Sequence, residues 1–205
     1  MASAEYDTAP RRDLAVSVKI LIAGGFGVGK TTMVGSISEI TPLRTEELIT
    51  ELSSGVDDLA GIENKTTTTV ALDFGRITID DNLVLYLFGT PGQDRFWFLW
   101  DELALGALGA VVLADTRRLE NSFPAVDFFE SRGVPFVVAV NCFDDAPDFD
   151  PDDVRIALDL DPGDPVVLCD ARDKESVKKV LITLVGHVLT RASPAAEYQS
   201  APLPI

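Results

Sequence analysis

The sequence predicts an α/β fold, a P-loop domain in which a mostly parallel six-stranded sheet has helices on both faces and one antiparallel hairpin at its edge. Two observations lead to this prediction. Apolar, strand-like runs alternate with helical stretches from residue 109 onward, as in a parallel sheet covered on both sides. The first apolar run, residues 16–23, leads directly into a Gly-rich segment, residues 24–32, that matches the phosphate-binding P-loop pattern.

The first part of the chain contains a strand, a loop and a helix, followed by a segment of a different kind. Residues 16–23 are predicted as the first strand and residues 30–40 as the first helix, which ends at Thr41-Pro42 because a residue before proline disfavours the helical conformation. Residues 44–65 are polar and show no convincing period. Long irregular segments inside compact domains are mostly functional, so we expect a switch or a lid there.

A hairpin and a regular alternation follow. Residues 66–79 alternate and are rich in β-branched side chains, residues 80–82 form a turn, and residues 83–88 return as an antiparallel strand. The remaining strands and helices are predicted at residues 109–114, 123–132, 136–140, 152–158, 166–169 and 174–191.

Composition limits the function. Residues 14–191 are predicted to form one domain between flexible arms at 1–13 and 192–205, which are polar or rich in Ala, Pro and Ser. A formal net charge of -16 provides no broad basic surface, so nucleic acid is not expected as a partner. Two cysteines and no secretory or lipidation signal favour a cytoplasmic protein without a direct membrane anchor.

The P-loop has a specific chemistry. Glycines let backbone N–H groups approach a polyphosphate, and the N-terminus of the following helix favours the same negative charge. Lys30 adds a full positive charge, and the Thr31 hydroxyl can bind the Mg²⁺ that bridges the outer phosphates. We expect the whole loop to contact a nucleotide: Gly24, Gly25, Phe26, Gly27, Val28, Gly29, Lys30, Thr31 and Thr32.

Two later strand ends indicate which base is bound. Asn141-Cys142-Phe143-Asp144 follows one apolar run, and the Asp144 carboxylate can accept from the ring N–H and the amine of guanine, whereas adenine has no such pair of donors. The next strand ends in Cys169-Asp170-Ala171-Arg172, where the Ala171 N–H can reach the guanine carbonyl oxygen. An alternative is that Asn141 and Asp144 are ordinary turn residues.

These motifs together resemble the Ras-like small GTPases over nearly the whole domain. They occur in the family's order, with Gly89-Thr90-Pro91-Gly92-Gln93 at the end of the strand 83–88, and residues 88–100 look most like bacterial MglA-type proteins of the actinobacterial conservon (CvnD-like) branch. The resemblance implies a switch that binds GTP or GDP with Mg²⁺ and hydrolyses GTP.

Carried over by position, the resemblance also assigns catalytic roles. Gly92 would donate its N–H to the γ-phosphate, Gln93 would orient the attacking water, and Lys30 would complete the catalytic set. Thr69, or else Thr68, would complete the coordination of Mg²⁺ with Thr31. The four consecutive threonines also suit the beginning of a strand without any metal role.

Three departures from the family qualify this interpretation. Gly89 stands where Ras-like proteins have the aspartate that holds a Mg²⁺-bound water; a turn centred on Asp81 places Asp73 opposite Gly89, so Asp73 can replace that carboxylate or be an ordinary strand residue. Cys142 replaces the lysine that packs along guanine. No arginine follows Arg44 in the segment up to Thr69. Arg95 can swing toward the phosphates but suits a solvated helix start better, so we expect slow intrinsic hydrolysis.

A run of bulky side chains predicts a docking surface for a partner protein. Residues 96–100, Phe-Trp-Phe-Leu-Trp, cannot all face one core from a helix, so we expect a docking surface unless bends bury every ring. The family resemblance implies a Roadblock-type partner and a histidine-kinase-like component that would recruit the protein to a membrane. Two alternatives stay open, which are a nucleotide-binding scaffold that hydrolyses nothing and a P-loop ATPase.

Overall fold

The computed structural model describes residues 15–50, 67–92, 98–147 and 149–192. The helices are α1 (Lys30–Ile37), α2 (Phe98–Ala104), α3 (Phe123–Ser131), α4 (Pro151–Ala157) and α5 (Lys174–Ala192), with a 3₁₀ segment at Thr116–Ser122. The strands are β1 (Val16–Ala23), β2 (Leu43–Thr50), β3 (Thr67–Asp80), β4 (Leu83–Gly89), β5 (Ala107–Ala114), β6 (Phe136–Asn141) and β7 (Val166–Cys169).

The strands form a seven-stranded sheet in the order β2-β3-β4-β1-β5-β6-β7. β1 pairs in parallel with β4 and β5, and β5, β6 and β7 continue the parallel part, while β2–β3 and β3–β4 are antiparallel. The predicted class, a mostly parallel sheet with an antiparallel edge, is therefore confirmed. Because β1 lies in the middle, its carboxyl end, where the P-loop begins, is at the centre of one edge of the sheet.

The sheet has one strand more than the six that were expected. The additional strand, β2, occupies the first part of the segment after Arg44 that was expected to be irregular. Residues 43–50 pair along β3 as an edge strand, with Leu43 opposite Phe74 and Thr50 opposite Thr67. The sequence does not indicate this strand, because its residues show no apolar alternation. Its extended conformation depends on backbone pairing with the 14-residue β3. Residues 51–65, the rest of the expected switch, lie outside the described residues, as does the predicted arm at 1–13. Of the predicted tail at 192–205, only residue 192 is described, and it ends α5.

The sheet separates two layers of core. Alternate residues of each central strand face opposite layers, so Ile20 and Ile22 of β1 pack with α1 and α5, whereas Leu21 and Ala23 pack with α2, α3 and α4. Residues 20–23 of β1, residues 109–114 of β5 and all of β6 are buried because helices cover both faces. This packing makes a rigid base under the loops at the carboxyl ends of the strands. In the part of the chain that the structure describes, no helix is long and apolar enough to span a membrane.

Candidate functional site

The P-loop turns sharply between β1 and α1. Gly24, Gly27 and Gly29 have φ values of 128°, 76° and 108°, which favour glycine, and a side chain at Gly24 would collide with the Leu113 carbonyl. Gly29 caps α1 in the left-handed conformation and offers no side chain to the N–H groups of the first turn. These N–H groups therefore stay available for an external anion at the helix N-terminus.

Lys30 lies inside this loop. Its Nζ donates hydrogen bonds of 2.8 Å to the carbonyl oxygens of Gly24 and Gly25. Burial lowers the pKa of Lys30 to about 8, and the charge of Asp73 opposes this shift. The ammonium group is thus held at the mouth of the loop, within reach of anything the loop encloses.

Asp73 lies where the missing carboxylate was expected. In the β3–β4 register, Asp73 is paired with Gly89, as predicted from the turn at Asp81. The Thr31 hydroxyl donates a 2.5 Å hydrogen bond to Asp73 Oδ2. A Cβ atom at Gly89 would lie 3.0 Å from the Cβ and 3.2 Å from Oδ2 of Asp73. The absence of a side chain at Gly89 therefore makes room for the carboxylate of the neighbouring strand.

The other residues predicted to act in catalysis or metal binding are Gly92, Gln93, Thr69 and Thr68. Gly92 packs on the P-loop, because a Cβ atom there would lie 2.5 Å from Lys30 Nζ and 3.1 Å from the Gly25 carbonyl. Gln93 lies outside the described residues. Thr69 is in β3 opposite Leu48, four residues from Asp73, a distance of about 13 Å along a strand. The roles of Gln93, Thr69 and Thr68 stay predictions.

Asn141, at the end of β6, links the P-loop to the loop that follows β7. Its side chain is buried at the end of β6, where Nδ2 donates to the Val28 carbonyl at 2.9 Å and Oδ1 accepts from the Ala171 N–H at 3.0 Å. A Cβ atom at Gly29 would lie 2.7 Å from Nδ2, so glycine is needed for this close approach. The Ala171 N–H that was predicted to reach guanine thus donates to Asn141 in this structure.

Asp144 and Arg172 meet across the ends of β6 and β7. Arg172 donates to both Asp144 oxygens at 3.1 Å and 3.3 Å and also binds Asp170. The hydrogen bond from Arg172 lowers the pKa of Asp144, whose side chain is 85% exposed. Cys142 is exposed next to them, and its N–H donates to the Cys169 carbonyl at 2.7 Å. The structure thus brings the predicted base-binding residues together at one end of the sheet.

Two arginines that no sequence motif singled out, Arg117 and Arg118, follow shortly after β5. Asp115 is buried and caps the 3₁₀ segment, while Arg117 donates to it through Nε at 2.9 Å and Nη2 at 2.8 Å. The guanidinium of Arg117 also lies 3.9 Å from the ring centre of Phe143. Arg118 reaches toward the P-loop. Their position was available from the sequence, because a strand next to β1 must end beside the P-loop.

The aromatic run divides between core and surface. Trp100 is buried against Phe128 and Phe129, and its Nε1 donates to the Pro91 carbonyl at 3.2 Å. Phe98 is 57% exposed, so the alternative in which every ring is buried is wrong. Phe98 lines an open groove between α2 and α3 together with Asp101, Phe123, Pro124, Asp127, Phe128, Ser131 and Arg132. We call this feature the α2–α3 groove.

The residues present fit a nucleoside polyphosphate with Mg²⁺. Three glycines with positive φ and the uncapped N-terminus of α1 form a cradle for phosphate oxygens. Thr31 and Asp73 offer two hard oxygen ligands side by side. No cluster of three or more His, Cys, Asp or Glu side chains suited to a metal occurs among the described residues. Two protein ligands suit Mg²⁺, which keeps several waters and is usually held together with substrate phosphates.

Comparison with known sequences gives the same class of protein. A family model described as "Conserved hypothetical ATP binding protein" matches residues 22–191. The chain is 29% identical to the uncharacterized protein MJ1339 of Methanocaldococcus jannaschii over 126 residues, which are 60% of this chain and 69% of that protein. It is 31% identical to the Ras-related protein RABC2a of Arabidopsis thaliana over 115 residues, 55% of this chain and 45% of that protein.

Solved structures confirm the fold. The G domain of the T. maritima FeoB iron transporter superimposes with a TM-score of 0.57 at 20% identity, covering 87% of this chain and 100% of that domain. The FeoB G domain of Methanococcus jannaschii gives a TM-score of 0.56 at 16% identity, covering 84% and 98% of the two chains. The protein therefore has the fold of a small, GTPase-like P-loop domain.

Proposed function

The chain belongs to the family described as conserved hypothetical ATP-binding proteins, and from that premise and its G-domain fold we propose that it is a guanine-nucleotide-dependent molecular switch. It binds GTP or GDP with Mg²⁺, hydrolyses GTP slowly and controls a partner complex through its bound state. The observation that carries this proposal is the position of Asn141, which joins the P-loop to the β7–α5 loop through Val28 and Ala171.

That connection has a direct consequence for base choice. Because Asn141 ends β6 beside the P-loop, a nucleotide with its phosphates in the glycine cradle directs its base toward Asp144 and Arg172. The Asp144 carboxylate accepts two donors from guanine but meets none on the corresponding edge of adenine. Arg172 holds Asp144 ionised, as the lowered pKa of Asp144 indicates. Guanine is therefore the preferred base.

Mg²⁺ would be held by Thr31 and Asp73, with Asp73 taking the place of the carboxylate that Gly89 lacks. A Mg²⁺ ion held by these residues would neutralise charge on the outer phosphates. Lys30 supplies the second positive charge, and Gly92 packs close enough to the P-loop to respond to what the loop contains. Gln93 would orient water for hydrolysis, which is slow until a partner supplies further charge or positioning.

The partner proposal rests on the α2–α3 groove and on the family resemblance. Phe98 is exposed at the start of α2, six residues after Gly92. Movement of Gly92 on nucleotide binding would therefore be transmitted to this groove over a short stretch of chain. We infer a Roadblock-type protein as the occupant and an MglA-like, conservon-type role in signal transduction. A histidine-kinase-like component would recruit the complex from the cytoplasm to a membrane.

The test is a comparison of nucleotides on purified protein with two neighbouring variants. Asp144→Ala removes the carboxylate proposed to bind guanine, and Asp145→Ala removes an exposed carboxylate that pairs with Arg117 instead. Wild type should prefer GTP and GDP to ATP and ADP, and Asp144→Ala should lose guanine affinity roughly tenfold or more, since hydrogen bonds to a charged group are strong. Asp145→Ala should keep the preference. Equal affinity of wild type for both bases would rule out the guanine proposal.

A second candidate is an ATPase, which the description of the family favours. It predicts that ATP competes better than GTP in the same measurement and that Asp144→Ala changes little. A third candidate, a scaffold without turnover, is favoured by Gly89 and Cys142, both of which depart from the hydrolytic family. Single-turnover measurements with and without the partner separate it from a slow GTPase, because a scaffold releases no phosphate in either case.

A further inference from the structure

The arginine that follows Arg117 lies against the P-loop. Arg118 Nη2 is 3.9 Å from the position that a Cβ atom would occupy at Gly27. Its backbone, with φ of −150° and ψ of 53°, interrupts the 3₁₀ segment, so the side chain leaves that segment instead of following its neighbours. A cation thus lies beside the bend of the phosphate-binding loop at Gly27.

Packing holds this segment in place. Asn121, three residues further on, lies so close to the P-loop that a Cβ atom at Gly25 would be 2.9 Å from the Asn121 Cβ. The 3₁₀ segment and the P-loop therefore form one packed unit, set by the parallel pairing of β1 with β5. Arg118 is anchored close to the loop by its own backbone.

Arg118 makes only a weak ion pair with Asp115, because Asp115 is already hydrogen-bonded to Arg117. Asp115 accepts three hydrogen bonds from Arg117, two from the side chain and one from the backbone, and the Arg117 side chain is further held by Asp145. Arg118 reaches the same Asp115 only at 3.5 Å, and its side chain is 50% exposed. Long, half-exposed ion pairs are weak, so Arg118 can exchange this contact for a better anion at little cost.

A cavity of about 220 Å³ lies next to Arg118. Its lining includes Gly24, Gly25 and Phe26 of the P-loop and also Gly92, with Arg118 as the cationic and Glu120 as the acidic side chain. A guanidinium is a planar fork that pairs with two phosphate oxygens at once, and it stays charged at any physiological pH. In a chain of net charge -16, such a cation at the phosphate loop favours a polyanion locally.

From these contacts we propose that Arg118 is a second cationic side chain, besides Lys30, that binds the phosphate chain of the nucleotide in cis. The proposal rests on the proposed nucleotide binding and deepens it, because it assigns to this chain a phosphate contact that otherwise needs a partner. Asp115 and Arg117 act as the support that keeps Arg118 available.

The chain provides a matched control for the test. Arg191 resembles Arg118 in exposure and in ion pairing, since it is 51% exposed and pairs with a buried aspartate, Asp164, at 3.8 Å. The variants are Arg118→Ala, Arg118→Lys and Arg191→Ala. The affinities of GDP, ADP and their non-hydrolysable triphosphate analogues are measured by fluorescence competition, and thermal unfolding of the nucleotide-free proteins tests folding.

Arg118→Ala should bind the preferred diphosphate roughly tenfold more weakly or worse, because a charge-assisted contact is lost. Arg118→Lys should recover part of the affinity, and Arg191→Ala should match wild type. If Arg118 had a mainly structural role, Arg118→Ala would instead have a lower unfolding temperature than wild type. Arg118→Lys would then bind the nucleotide no better than Arg118→Ala. The inference is overturned if wild type binds a nucleotide and Arg118→Ala binds it equally well. If wild type binds neither GDP nor ADP, the proposed function fails, and this inference fails with it.

Discussion

The Thr31 hydroxyl donates a 2.5 Å hydrogen bond to Asp73 Oδ2, and so joins the first turn of α1 to the strand that lies opposite Gly89. The two residues are 42 positions apart in the chain. Their contact exists because β3 pairs antiparallel with β4, and β4 pairs in parallel with β1, the strand that leads into the P-loop.

Moving the carboxylate between the two paired positions tests the proposed metal site. Asp73→Asn should reduce the gain in nucleotide affinity that Mg²⁺ provides by roughly tenfold, because a hard charged ligand is lost. The double variant Asp73→Gly with Gly89→Asp places the carboxylate on the other strand, with room made by the first change, and should restore most of that gain. Nucleotide affinity is compared in Mg²⁺ and in EDTA.

The control for this experiment is Asp81→Asn, which changes an exposed carboxylate at the β3–β4 turn. It should leave the Mg²⁺ dependence as in wild type. An Asp73→Asn protein with an unchanged response to Mg²⁺ would show that Asp73 is an ordinary strand residue.

Removing the Asn141 side chain should destabilise the protein. Asn141→Ala leaves the Val28 carbonyl and the Ala171 N–H without their side-chain partner in a buried setting. We expect a loss of about 2 kcal/mol in the free energy of unfolding, measured by urea denaturation. Asn82→Ala, in the exposed β3–β4 turn, is the control and should cost far less. Equal stability of Asn141→Ala and wild type would contradict the bridging role.

His187 should make stability depend on pH. Its side chain is nearly buried on α5, Nε2 lacks a hydrogen bond, and Asp164 Oδ1 lies 3.7 Å away. Burial lowers the pKa of His187; the charge of Asp164 opposes this shift and that of Arg191 adds to it. The folded state thus favours neutral histidine, so its contribution to stability is complete above the unfolded pKa of about 6.5 and is lost as the pH falls toward the folded value.

The measurement for His187 is the free energy of unfolding between pH 8 and pH 5 for wild type and His187→Gln. As the pH falls, the free energy of unfolding of wild type should decrease more than that of His187→Gln, since only wild type carries the titrating imidazole. Parallel pH profiles of the two proteins would show that His187 does not contribute.

The α2–α3 groove should carry partner binding. Phe98→Ala removes an exposed ring, so folding should be preserved while affinity for a Roadblock-type partner falls roughly tenfold or more, as for aromatic anchors at interfaces. The control is Ile182→Ala on α5, which is also exposed but lies on the opposite face of the sheet. Both variants are compared with wild type in binding titrations with GDP and with a GTP analogue. Loss of binding in both, or in neither, would exclude the groove.

Much of the fold could be predicted because its signals are local. The apolar runs that became β1, β4, β5, β6 and β7 are continuous, and α3, α4 and α5 match the predicted stretches to within one residue at each end. The helix α1 ends at Ile37 instead of residue 40, and α2 was not predicted. The edge strand β2 could not be predicted, because its order comes from pairing with β3 and its own residues show no period. The register of Asp73 with Gly89 was predictable, since a tight turn determines which residues face each other.

The sequence by itself determined the phosphate loop, the class of sheet and the residues at the strand ends, because each depends on short stretches whose backbone geometry is encoded locally. Only the tertiary structure decided which of these groups meet. It engaged the Ala171 N–H with Asn141, brought Asp73 to Thr31, buried Trp100 while leaving Phe98 exposed, and set Arg118 against the P-loop. These contacts join residues far apart in the chain, and strand order and register, which are properties of the whole sheet, determine them.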